Sequence, residues 1–141
     1  MSPLHHNAVI RRLLRGFALM IALVGTAAAH ALSIGEISLQ SRLGEPLRAV
    51  VPLGNIGTLS EDQILVGRAS EELHRNYGVD RAQYNSPLRF VLSVDARGMA
   101  SVMISTAQPL SEPFIDMVME VRWPDGRAVK QFTLLLDLPP Q

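Results

Sequence analysis

Past residue 31 the sequence holds one histidine, His74, one lysine, Lys130, and no cysteine, and this limits the covalent chemistry open to it. A serine hydrolase needs an imidazole to take the nucleophile's proton. His74 falls in a predicted surface helix between Leu73 and Arg75, so it reads as a solvated helix histidine rather than a general base. A thiolate nucleophile is impossible. Lys130 falls on the edge of an alternating strand, where its ammonium is expected to snorkel to water rather than serve as a base.

Carboxylates give no better constellation. Asp116 and Glu120 share a strand face, but four residues of strand set them about 13 Å apart, wider than glycosidase pairs. Arg122 on the same face makes an ordinary charged exterior. Glu61-Asp62 and Glu71-Glu72 occupy first-turn positions, where acids favour a helix N-terminus. No calcium loop, paired metal-binding histidines or glycine-rich phosphate loop occurs. No catalytic residue, metal or cofactor is expected.

Two groups could instead bind. Trp123 with Met117 and Met119 could form a ligand stripe, but their period-two placement beside Ile115 and Val121 favours core. Tyr77, Arg81 and Tyr84 form a more open candidate, because Tyr and Arg are enriched at binding surfaces. The two tyrosines with Leu73 could equally dock their segment on its own sheet.

The elements that must carry these residues are mostly strands. Leu47, Ala49, Val51 and Leu53 alternate with Arg48, Val50 and Pro52. Leu88 to Val94, Ala100 to Ile104, Ile115 to Trp123 and Phe132 to Leu136 repeat the pattern, each with one apolar and one polar face. Met99, Met103 and Val118 dilute the polar faces, as where an edge or loop covers them. Ile34 to Leu39 and Gln63 to Ala69 are weaker strands. Asp95-Ala96-Arg97-Gly98 and Trp123-Pro124-Asp125-Gly126-Arg127 are hairpin turns, read as a fixed φ followed by a positive one. Pro113 opens its strand, where a missing N–H costs least.

One segment departs from period two. Ser70 caps a helical turn that Gly78 stops, with Leu73 and Tyr77 on one face. Asp80 caps a second turn with Gln83 at the capping-box position and Val79 and Tyr84 as staple, ended by Asn85-Ser86-Pro87. The expected fold is a mainly β, antiparallel Ig-like β-sandwich with a short helical insert between its third and fourth strands, and Trp123 buried in the core.

Residues 1–31 read as a signal peptide. Arg11, Arg12 and Arg15 precede the apolar run Gly16 to Val24, and Ala29-His30-Ala31 offers a cleavage site between Ala31 and Leu32. A cut after Ala29 is the near alternative. An uncleaved anchor would need about 20 apolar residues. Of 141 residues, 110 then remain (32–141), one domain's worth, with ten basic against thirteen acidic side chains. That balance argues against nucleic acid as a partner. No later stretch is long enough to span a membrane, so a soluble periplasmic product is expected.

The run Leu32-Ser33-Ile34-Gly35-Glu36 through Ser41-Arg42-Leu43-Gly44-Glu45-Pro46-Leu47-Arg48-Ala49 resembles the first periplasmic domain of the FimV (HubP) family. Gly78-Val79-Asp80-Arg81, Glu112-Pro113-Phe114, Trp123-Pro124-Asp125-Gly126-Arg127 and Leu134-Leu135-Leu136-Asp137 with Pro139-Pro140 match its later motifs in order. The resemblance implies a non-catalytic, protein-binding role in type IV pilus assembly, twitching motility or type II secretion, with envelope assembly proteins as partners. Full-length family members add a peptidoglycan-binding LysM module, a transmembrane helix and an acidic cytoplasmic region, none of which this sequence carries. It therefore reads as a stand-alone domain or a truncated remnant. The alternative is an independent binding or chaperone-like sandwich that offers a sheet edge to client strands.

Overall fold

The computed structural model describes residues 31–80 and 87–141. The expected signal peptide up to residue 30, and Arg81 and Tyr84 in the second expected helical turn, lie outside the described residues.

Two antiparallel sheets form the body. In the first, β1 (Ser33–Ile34) and β2 (Ser38–Leu39) both pair with β3 (Pro46–Gly54), followed by β6 (Ala100–Pro109) and β5 (Arg89–Val94). In the second, β7 (Phe114–Trp123) lies between β4 (Leu65–Arg68) and β8 (Gly126–Leu135). A 3₁₀ turn (Glu61–Gln63) precedes β4, and the helix α1 (Glu71–Asn76) follows it.

The alternation read from sequence is what joins the sheets. Leu47, Ala49, Val51 and Leu53 of β3, with Val102 and Ile104 of β6, face Ile115, Met117, Met119 and Val121 of β7 and Phe132 and Leu134 of β8 in one buried cluster. Each such side chain contributes about 1.5–3 kcal/mol on burial. Phe90, Leu92 and Val94 keep the same phase but are half-buried, because β5 is an edge. No helix among the described residues is long and apolar enough to cross a membrane.

Local departures from the expected pattern have physical causes. The expected strand Ile34 to Leu39 is two pieces, because the pairing slips by one residue between Ile34↔Leu53 and Ser38↔Val50. Gly35 sits in that bulge, where its N–H donates to the Pro52 carbonyl (2.8 Å) and a Cβ would lie 2.7 Å from Pro52 Cγ. The pairing of β3 with β6 shifts again between Pro46 and Arg48. There the buried Thr106 hydroxyl accepts the Leu47 N–H (2.8 Å) and donates to the Gln108 carbonyl (2.8 Å), replacing ladder bonds.

Both expected hairpins form. Asp95 Oδ1 accepts the N–H groups of Arg97 and Met99, and Gly98 takes φ +77°. At the other, Pro124-Asp125 is a two-residue loop between the paired Trp123 and Gly126. Gly126 is not at positive φ, contrary to the turn chemistry read from sequence. Its role is clearance, since a Cβ there would stand 3.1 Å from the Trp123 indole. Trp123 itself is half-buried rather than buried, packing on the rim of the core at the end of β7.

Candidate functional site

The helical insert forms as its residues direct. Ser70 Oγ accepts the Leu73 N–H (3.2 Å), and Glu71 and Glu72 occupy the first turn. At the other end Gly78, at φ +69°, lets its own N–H reach the Arg75 carbonyl and the Val79 N–H reach that of His74. This is a Schellman closure with glycine at the left-handed position. Six residues cannot hold a helix alone in water. Packing against the outer face of the second sheet holds it, where Ala69, Val79 and Val118 are buried together with Leu73 and Val129 alongside. Val118, an apolar residue on the outer face of β7, is thereby covered.

His74 is not the solvated histidine that its charged neighbours suggested. It is fully buried. Strand β4 pairs with β7 only as far as Arg68↔Met119, and the Ala69 N–H donates to the Val118 carbonyl (2.9 Å) before the chain turns away. The Val118 N–H is then left without a strand partner, and it donates to His74 Nε2 at 3.3 Å. Nδ1 stands 2.9 Å from the Ser70 carbonyl, so the ring proton belongs on Nδ1. With both nitrogens engaged and the ring sealed, His74 continues the β-ladder with a side chain. It has no free lone pair for proton abstraction. Spacing carried the signal for this, because Ser70, Leu73, His74 and Tyr77 share one helix face while Glu71, Glu72, Arg75 and Asn76 form the other.

Of the residues singled out for partner contact, Tyr77 caps the helix and is 43% exposed. Arg81 and Tyr84 lie outside the described residues, so no joint surface is defined for the three. A cleft beside the helix is lined by Arg68, Glu71, Arg75 and Asp80, with Glu71 and Arg75 ion-paired at 3.4 Å. Of the two residues flanking the expected cut, Ala31 is exposed and Leu32 is buried in the core.

The other chemistry-bearing groups are dispersed. Lys130 points inward from β8 rather than out to water, reaching the Glu36 carboxylate (2.7 Å) and the Gly35 carbonyl (3.1 Å). It thus ties the edge of the second sheet to the bulge of the first, over the face of Phe132. Asp116 accepts a hydrogen bond from the Thr133 hydroxyl, and Glu120 pairs with Arg127 (3.5 Å) rather than with Arg122. Met117 and Met119 are sealed in the core and cannot line a ligand stripe. Among the described residues no three histidine or carboxylate groups cluster as a metal site would need.

The comparisons with known proteins agree with this architecture. Residues 32–139 match the family model described as the FimV N-terminal Ig-like domain. The chain is 34% identical over 130 residues, 92% of its length, to the Motility hub protein FimV of Pseudomonas aeruginosa strain PAO1, and equally to that of strain UCBPP-PA14. It spans 14% of the length of these relatives. No solved structure matches it. With the two-sheet fold and the matched span in hand, the chain belongs to the FimV N-terminal Ig-like domain family.

Proposed function

We propose that this domain is a non-catalytic protein-interaction module of the bacterial periplasm, serving type IV pilus assembly, twitching motility or a related envelope machine. The observation that carries the reading is the family match over residues 32–139, joined to likeness to a protein named as a motility hub. The structure supports a binding role through what its candidate catalytic groups do. His74 and Lys130 are both consumed by backbone contacts, and the paired strand carboxylates are tied to neighbours on their own sheet.

The proposed architecture is a signal peptide over residues 1–31 and one domain over residues 32–141. Among the described residues a cut between Ala31 and Leu32 removes none of the buried cluster, whose first described member is Leu32. Intact-mass measurement of the exported protein is expected to give a chain starting at Leu32; a product retaining Arg11 to Arg15 would refute export with cleavage.

The helical insert is the proposed contact surface, with Tyr77 presented at its exposed end and Arg81 and Tyr84 following in sequence. Photo-crosslinking from position 77 in intact cells is expected to capture a protein of the envelope assembly apparatus. Arg81→Ala and Tyr84→Ala are expected to weaken that capture while the fold persists. Unchanged capture would make the insert structural only, and no capture from any surface position would remove the binding role.

A further inference from the structure

The outer face of the first sheet differs in kind from that of the second. Its cross-strand rows follow from the register. Arg48 and Arg89 both lie opposite Ser105, Val50 and Val91 both opposite Met103, and Pro52 and Ser93 both opposite Ser101. No carboxylate occurs on the strands of this sheet, whereas Asp116 and Glu120 stand on the outer face of the second. In a mature segment with more acids than bases, three paired strands without an acid are a marked asymmetry, the carboxylate at the groove being that of Asp95 in the hairpin beyond them.

Three features make it a receiving surface. Arg48 and Arg89 are exposed and form no ion pair among the described residues. Their Cα atoms are two strand spacings apart, about 10 Å, so two guanidinium groups flank one serine hydroxyl and can converge on one carboxylate. Beside them the Val50–Met103–Val91 row is apolar, with Val91 47% exposed. That row leads to a shallow groove lined by Pro52, Ser93, Asp95, Met99 and Ser101, in which Met99 is 66% exposed and Asp95 Oδ1 already accepts the Arg97 and Met99 N–H groups. Small serines keep the surface flat between these points. The face carries no aromatic ring on which a sugar could stack, and two arginines are too few to follow a nucleic-acid backbone.

We infer that this face docks an extended protein segment carrying a carboxylate side chain beside apolar ones. The carboxylate seats between Arg48 and Arg89, and the apolar side chains lie along Val50, Met103 and Val91 toward Met99. From the arginine row to the Pro52–Ser101–Ser93 row is four residues of strand, about 13 Å, which sets the footprint at roughly four to five extended residues. This inference rests on the protein-interaction reading above and adds a second face, on the side of the sandwich away from the helical insert.

The test places a photo-crosslinking residue at Val91, or separately at Gln131 on the outer face of the second sheet, in the full chain in intact cells. Cross-linked segments are identified by mass spectrometry. The expected result is capture from Val91 of a segment with Asp or Glu next to apolar residues. That capture should fall at least tenfold in the Arg48→Glu/Arg89→Glu double variant and return when the segment's acid is changed to Lys. Both arginines are exposed, so circular dichroism and melting should match wild type. Capture from Gln131 or from position 77 but not from Val91 overturns the face while leaving the interaction reading intact, and capture from none of the three overturns both. A second copy of this chain as the captured species, cell-wall glycan in its place, or a Val91 cross-link indifferent to the double charge reversal, also overturns the inference.

Discussion

Replacing His74 with leucine isolates one hydrogen bond. Leucine is close to imidazole in volume, so little cavity is opened, and the change removes the acceptor for the buried Val118 N–H. The Ser70 carbonyl stays satisfied, because it also accepts the His74 backbone N–H at 3.0 Å. The cost is then that of one orphaned buried donor, about 1–3 kcal/mol. For a domain near 110 residues this corresponds to a fall in Tm of roughly 4–12 °C. His74→Ala should cost more, by a further ~2 kcal/mol, since it adds a cavity. His74→Gln should recover part of the loss, because its side-chain oxygen is an acceptor. Urea unfolding followed by Trp123 emission gives the global value, and amide exchange at Val118 gives the local one. If His74→Leu lies within about 0.5 kcal/mol of wild type and Val118 exchanges no faster, the claim that the imidazole completes the β7 ladder is refuted.

Three further outcomes follow from the same geometry. Thr106→Val keeps the shape at the β3–β6 shift but orphans the buried Leu47 N–H, and should lower stability by about 1–3 kcal/mol in denaturant titration; a neutral result would mean that the backbone re-registers there. Trp123→Ala should cost about 2 kcal/mol, below the 3–5 of a sealed aromatic, because the indole is half-exposed on the hairpin. Wild-type emission should accordingly fall between the buried and fully solvated limits. Lys130→Met should change stability by less than about 1 kcal/mol, since Glu36 is 91% exposed and that ion pair is well screened. It should instead promote self-association along β8, measured by light scattering, because an inward-pointing charge protects an edge strand.

Sequence made the sandwich legible because burial in a two-sheet fold imposes period two, and β3, β6, β7 and β8 obey it almost residue by residue. It also gave the cap and the stop of α1, since Ser70 and Gly78 act through their own backbone neighbourhood. For His74 and Lys130 the local neighbours mislead, because their partners stand 44 and 94–96 residues away. The Trp123 case shows that proximity in sequence is no protection, because what mattered was the strand ending there. No local pattern announces that β4 stops short of β7, and that shortfall is what gives His74 its role. Arg81 and Tyr84, outside the described residues, stay candidates on sequence grounds only.

The two sheets meet such a difference in strand length in different ways. Because β4 covers only part of β7, the second sheet has backbone groups and an apolar Val118 to cover, and α1 with its flanking residues covers them. In the first sheet β5 likewise stops at Arg89↔Ser105 while β6 runs on to Pro109, and there the Thr106 hydroxyl, not a helix, takes up the Leu47 N–H on the β3 side. The outer surface of that sheet carries two arginines with no ion-pair partner among the described residues and a strip of partly exposed apolar side chains. A domain of this kind can hold one face for itself and offer the other, and the helix end at Tyr77 projects from the held side.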